Sequence, residues 1–318
     1  MAANSKLKSD NAIDVKSMIE KNKQSKSFSA ITEKIVPILL FLFAIITVLT
    51  TVGIVMTLLT ETIEFFKAVP IWEFFTGTVL KPISQDPQFG VLPLINGTII
   101  SSLIAMLVAG PIGLMAAIYL SEYASDRVRR VLKPMLEILA GIPTIVYGFF
   151  AFTFVTPLIR SIWPEVGATN ILSPGIVMGI MIIPMIASLS EDAMSSVPNS
   201  IREGALGLGA TRLETTFKVV MPAALSGIIA SFVLGISRAI GETMIVTIAS
   251  GSSKNFTFDI TESMQTMTAY IVEVSGGEAA AGTTIYYSLY AVAMTLFVFT
   301  LIMNLLARYV SRKFREEY

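Results

Sequence analysis

The chain has 318 residues, 53% apolar and only 14% charged, against about 45–50% and about 25% in a soluble domain, which excludes an ordinary soluble enzyme. Its 23 basic and 23 acidic residues cancel, so no global field draws in nucleic acid. With no cysteine and no histidine, disulfide frameworks, thiol catalysis, thiolate or imidazole metal sites and histidine proton relays are excluded together.

In chain order, residues 1–34 hold seven lysines and no long apolar run. They lack the pattern of a cleavable signal and read as a cytosolic tail, partly disordered or in a short amphipathic helix. Apolar stretches then follow at about 35–59, 94–120, 136–159, 174–189, 223–249 and 285–307. A bilayer crossing needs roughly 20 such residues, so six spans are predicted, the fourth being the shortest. An even number puts both termini on one side. The tail, the 121–137 and 190–222 loops and the end after Ala307 carry 18 basic residues, whereas the opposite loops carry only Lys67, Lys81, Arg160 and Lys254. Lys and Arg accumulate on the cytosolic face, so both termini are predicted to be cytosolic.

Pro37, Pro111, Pro143 and Pro184 fall inside spans. Each frees a carbonyl and bends its helix, which suits packing or a path between helices. The two long outer loops carry Trp72, Phe74 and Phe75 in one and the amphipathic run 261–274 in the other. These fit interfacial anchors, or a docking surface for an extracytoplasmic partner. The sequence contains no G-x-x-x-x-G-K-[ST], so any energy from ATP enters through another subunit.

The inner loop 190–222 is too long for a turn. Asn199 or Ser200 is placed to cap a short helix holding Glu203, which Gly207 and Gly209 then break. A second short helix from about Thr211 brings Leu213, Phe217 and Val220 to one face before Pro222. The pattern predicts a knob projecting into the cytosol.

Glu203-Gly204-Ala205, then Gly209, then Val219-Val-Met-Pro222 resembles the E-A-A-x3-G-x9-I-x-L-P loop of ABC importer permeases, departing at Gly204, Val219 and Met221. The segments around Gly90–Thr98, Gly141–Gly148, Leu189–Ala193 and Arg238–Met244 resemble the PstC family of phosphate-specific permeases. The sister PstA family shares the Arg-Ala-Ile-Gly-Glu element; Tyr147-Gly148, Ser190-Glu-Asp192 and Glu242-Thr-Met244 favour PstC.

The resemblance implies an all-α polytopic membrane protein of six transmembrane helices with the type I ABC importer permease (MetI-like) fold. It divides into a tail 1–34, the first span and outer loop 35–93, the permease domain 94–311 with the coupling loop 190–222, and a tail 312–318. Glu203, Gly204, Ala205, Gly209 and Pro222 would seat the loop on a cytosolic ATPase. The implied partners are a PstA-like second permease subunit, two copies of the ATP-binding subunit, an extracytoplasmic phosphate-binding protein and membrane lipid, with no nucleic acid. No cofactor belongs to this chain; ATP and Mg belong to the ATPase. The alternatives are a permease for another oxyanion, such as molybdate or sulfate, and a phosphate-sensing scaffold subunit.

Arg238 and Glu242 stand four residues apart in the fifth span, a spacing that puts their side chains on one helix face. Each costs at least ~2.5–3.5 kcal/mol to insert. Ser231, Gly235, Ile245 and Ala249 share that face, and Ser237 and Thr243 add hydroxyls beside it. Two roles fit: an ion pair holding helices in register, or a transient oxyanion contact in which the guanidinium fork binds and the carboxylate prevents trapping. A carboxylate also accepts a hydrogen bond from protonated phosphate, which sulfate cannot offer near neutral pH.

Overall fold

A computed structural model describes residues 15–313; positions 1–14 of the predicted N-terminal tail and 314–318 of the C-terminal tail lie outside the described residues. The chain divides after Thr57 into two compact units. The first holds most of α1 (Val15–Ala68), a single 54-residue helix that is already helical across 15–34 and so longer than the predicted span. Along 35–57 its apolar side chains are exposed, Phe41 and Leu49 among them, the surface that a helix in lipid presents. Thr47, Thr50 and Thr51 donate to carbonyls four residues back at 2.8–2.9 Å, so their hydroxyls need no water.

The second unit begins with the end of α1, which stops before Pro70, a residue without an amide to continue the ladder. In α2 (Ile71–Thr76) the three aromatic residues read together in the sequence part company. Phe74 is buried edge-to-face at 5.4 Å from Phe65 and 5.5 Å from Phe66, while Trp72 is 78% exposed. A two-stranded hairpin follows, β1 (Leu80–Lys81) antiparallel to β2 (Gln88–Phe89), with Leu80 opposite Phe89. Its base closes on two glycines: a Cβ at Gly77 would lie 2.7 Å from the Gly90 Cα.

Next comes α3 (Leu92–Ile118), prolonged by a wide π turn at Tyr119–Tyr123. The predicted span 136–159 is corrected: α4 (Asp126–Gly141) is a separate amphipathic helix with no buried residue. Pro143 interrupts the ladder, and the span begins only at α5 (Thr144–Phe150), continuing through a π turn into α6 (Thr156–Ile162). The span predicted as shortest, 174–189, is α7 (Leu172–Ser195), and it is the innermost. Of its apolar window 61% is buried, against 33% for Leu92–Tyr123. Its small residues, which dilute an apolar run, are what let neighbouring helices close in.

The knob comprises α8 (Asn199–Gly207), α9 (Arg212–Thr215), a π turn at Thr216–Val220 and α10 (Met221–Ala223). The chain bends 72° into α11 (Leu225–Ile240). The predicted continuous span 223–249 is also corrected, since α11 stops at Ile240 and α12 (Met244–Ala249) starts only after a break. A short α13 (Met267–Glu273) and the last span, α14 (Thr284–Lys313), complete the unit. Among the described residues five helices are long and apolar enough to cross a membrane, with the bent pair Arg212–Ala223 and Leu225–Ile240 as a sixth.

The run 261–274, predicted to be an interfacial or docking face, is folded inward instead. Residues 264–270 are buried, the Met267 amide donates to Thr98 Oγ1 at 3.0 Å, and the Tyr270 and Ser288 hydroxyls lie 2.7 Å apart. A run with polar groups on both faces finds partners inside the bundle, which its moment alone does not disclose.

The unit is built on α3 against α7. A Cβ at Gly179 would lie 2.7 Å from the Val108 Cβ and 2.8 Å from the Ala105 carbonyl oxygen; one at Gly175 would lie 2.8 Å from the Ile104 Cγ2. Gly175 and Gly179 form a G-x-x-x-G pair that lets two backbones approach where lipid supplies no hydrophobic drive. Gly179→Leu is expected to cost about 1–3 kcal/mol by overpacking, read as lower membrane abundance and a lower inactivation temperature of the purified protein. Gly204→Ala, at a position open to at least 4 Å, should change neither.

Candidate functional site

The break in the fifth span sets the geometry of the predicted pair. The Gly241 amide still bonds to Ser237 O at 3.2 Å, but the Glu242 amide bonds to Ala239 O, three residues back, at 3.2 Å. That tighter turn ends the i,i+4 geometry on which a shared face depends. Glu242 therefore turns towards α12, where its Oε1 accepts from the amides of Met244 at 3.1 Å and Ile245 at 3.4 Å. A carboxylate satisfies the free amides of a helix start well. Its backbone carbonyl accepts from Thr268 Oγ1 at 2.7 Å. Among the described residues the predicted Arg238–Glu242 ion pair is absent.

Arg238 is exposed and its Nη2 lies 3.8 Å from Met181 Sδ. It lines a cavity of about 590 Å³ between α4, α7 and α11, together with Lys133, Glu137, Met181, Met185 and Ser188. The other predicted path residues point elsewhere. Ser231 is fully buried with its hydroxyl 2.7 Å from Ser190 Oγ, Ser237 donates to Asn304 Oδ1 of α14 at 2.9 Å, and Thr243 donates to Gly241 O at 3.3 Å. Gly235 packs against Ile182, Ile186 and Met106, and Ile245 and Ala249 sit in the central core. The stripe read as path-lining is thus mostly the packing face of α11 and α12, while Arg238 lines the cavity. Gly148, in the segment that carried the resemblance, brings α5 onto α12, since a Cβ there would meet Met244 O at 3.1 Å.

The knob follows the sequence more closely. Gly209 has φ +90°, a conformation that glycine adopts freely, and turns the chain from α8 to α9. Thr211 and Glu214 cap α9 reciprocally. At the start of α8 the cap is Pro198 rather than Asn199 or Ser200. Glu203, Gly204 and Pro222 are exposed and Ala205 half-buried. Leu213 and Phe217 are exposed but Val220 is fully buried; the π turn at Thr216–Val220 shifts the helical phase, so the three do not share a face. Leu206, Leu208, Leu213 and Phe217 leave the knob with exposed apolar side chains.

Sequence reasoning assigned no role to the charges at the helix ends beside the knob. Glu191 is fully buried and paired with Arg129 and with Lys133 Nζ, the latter at 2.6 Å; Lys133 also reaches Asp192 at 3.0 Å. Glu122 is paired with Arg202 at 3.1 Å. Glu122 and Glu191 are thus buried carboxylates alongside Glu242. The signal available was an acid just past an apolar run, Glu122 after 94–120 and Glu191, with Asp192 beside it, after 174–189.

Residues 109–316 match the family described as the binding-protein-dependent transport system inner membrane component. A probable ABC transporter permease protein of Bacillus subtilis, YqgH, is 36% identical over 76% of this chain and 78% of that protein. The phosphate transport system permease protein PstC of Mesorhizobium japonicum is 34% identical over 75% and 78%, and that of Haemophilus influenzae 31% over 86% and 91%. Among solved structures, a bacterial alginate ABC transporter in complex with a pentasaccharide-bound periplasmic protein matches with a TM-score of 0.61 at 17% identity, over 86% of this chain and 94% of that one. The MetNI methionine ABC transporter, in an inward-facing conformation, matches with a TM-score of 0.52 at 16% identity, over 71% and 95%; these two likenesses concern the fold. The chain belongs to the family of binding-protein-dependent transport system inner membrane components, and is an ABC importer permease subunit of the inner membrane rather than a catalytic subunit.

Proposed function

We propose that this subunit carries inorganic phosphate across the membrane. In this reading it pairs with a PstA-like second permease subunit, receives phosphate from an extracytoplasmic binding protein, and is driven by two copies of a cytosolic ATPase seated on the 190–222 loop. Both termini and the knob then face the cytosol, as the basic residues of the inner loops require. The observation that carries the solute path is Arg238: a guanidinium on a cavity wall, with no ion pair among the described residues. A planar donor fork on a cavity wall suits a tetrahedral oxyanion; Lys133, the other cation on that wall, is held by Glu191 and Asp192, so the anion meets one cation without an ion pair among the described residues and can leave again. Relatives named as phosphate permeases at 31–34% identity support phosphate as that oxyanion. Glu242, turned away as a helix cap, acts in this reading by holding the break that frees Arg238 from a helix partner.

The coupling reading is supported by the exposed Glu203 and Gly204, the left-handed turn at Gly209 and the exposed Leu206, Leu208, Leu213 and Phe217. An apolar patch rimmed by polar residues marks a protein contact.

Arg238→Gln should reduce phosphate uptake at least ~10-fold, the scale of one charge-assisted contact, in cells where the complex assembles normally; normal uptake would remove Arg238 from the path. Gly209→Asp and Glu203→Lys should abolish co-purification of the ATPase, or leave hydrolysis that no longer drives uptake. A fully active transporter carrying either change would sink the coupling assignment.

A further inference from the structure

Two contacts tie the knob to the end of α3. Arg202, in α8, donates through Nη2 at 3.1 Å and Nε at 3.3 Å to Glu122 Oε1 in the π turn that prolongs α3, and both side chains are largely buried, 16% and 7% exposed. The same guanidinium donates to the carbonyls of Met194, at 2.6 Å in the last turn of α7, and of Val197 just beyond it. It is thus locked in one orientation. The second contact is Arg212, at the start of α9, whose guanidinium lies 5.2 Å from the Tyr123 ring centroid, within cation–π range.

The far end of the same helix grips the inward-folded segment. Thr98 Oγ1 accepts from the Met267 amide, the Asn96 side-chain amide donates to Thr257 O, and Gly97 lets the Gln265 carbonyl sit against the helix. From there Thr268 reaches the Glu242 carbonyl at the break in the fifth span. Residues 98 and 122 are about 36 Å apart along a helix rising ~1.5 Å per residue. One continuous helical run, with Pro111 inside it and the π turn at its end, therefore touches the knob at one end and the segment over Glu242 at the other. A helix packed at both ends transmits displacement between them.

We propose that Glu122 and Arg202 are positioning residues through which the knob moves α3, and that α3 carries this displacement to the 257–268 segment beside the break at Glu242. The proposal rests on the reading of the knob as the ATPase-docking surface. It differs from transmission through α7 alone, which adjoins the knob by chain continuity and needs neither contact.

The test uses the assembled complex of the full chain with its cognate second permease subunit, ATPase and binding protein. Because the chain has no cysteine, Phe258→Cys, at a 71% exposed position on the segment, takes a single environment-sensitive fluorophore. In the otherwise unaltered complex a non-hydrolysable ATP analogue should shift its emission. Glu122→Gln, nearly isosteric, should leave the ATPase bound and hydrolysing at its basal rate, while the emission shift disappears and phosphate uptake per ATP falls about tenfold, within the usual range of coupling between sites. Thr98→Val, at the other end of α3, should abolish the shift in the same way with the knob untouched. An emission shift and an uptake-to-hydrolysis ratio that persist in either variant overturn the proposal. An unaltered chain that never retains the ATPase overturns the docking reading instead, so the two failures are distinguishable.

Discussion

The packing of α3 on α7 is the contact from which the larger unit is built. In lipid, two apolar helices gain little by touching each other, because the acyl chains are as apolar as their side chains. What remains is van der Waals contact at close range and hydrogen bonds made inside the protein. Gly175 and Gly179 supply the close range: with a Cβ at either, the α3 atoms now within 2.8 Å of that position would have to retreat. Around this pair the central core closes on α5 and α12, with Tyr147, Ile182, Ile186 and Ile245 buried among its members.

At the knob end the same constraint takes an electrostatic form. Burying Glu122 and Glu191 without partners would be costly, and both are met by cations, Arg202 for one and Arg129 with Lys133 for the other. Those pairs attach the knob and the amphipathic α4 to the ends of α3 and α7. An apolar cluster of Met194, Val197, Val220, Ala224 and Ile228 fills the space between. At the hairpin end the role passes to hydroxyls and backbone, with Thr98, Thr268, Tyr270 and Ser288 satisfying groups that water does not reach.

The break between α11 and α12 decides where two charged side chains point. A continuous helix would bring Arg238 and Glu242 onto one face, where opposite charges satisfy each other. The tight turn at Glu242 separates them, turns the carboxylate into a cap and leaves the guanidinium on the wall of a cavity. In the proposed reading this cation contacts an anion that must bind and then leave.

The all-helical class, the position of most spans, the knob and its turn at Gly209 were legible in the sequence. Each depends on local properties: apolar runs long enough to cross a bilayer, and glycines that break a short helix. The start of the third span was misread because Pro143 separates two helices instead of bending one apolar run, and α7 was underrated because small packing residues lower an apolar run. The sequence by itself determined that this is a polytopic helical membrane protein with a loop of the importer type. Only the tertiary structure decided that Arg238 and Glu242 part, that 264–270 fold inward and that Glu122 meets Arg202 across 80 positions. Spacing along a chain specifies which side chains share a helix face only while the helix stays unbroken; partners on different helices are chosen by packing.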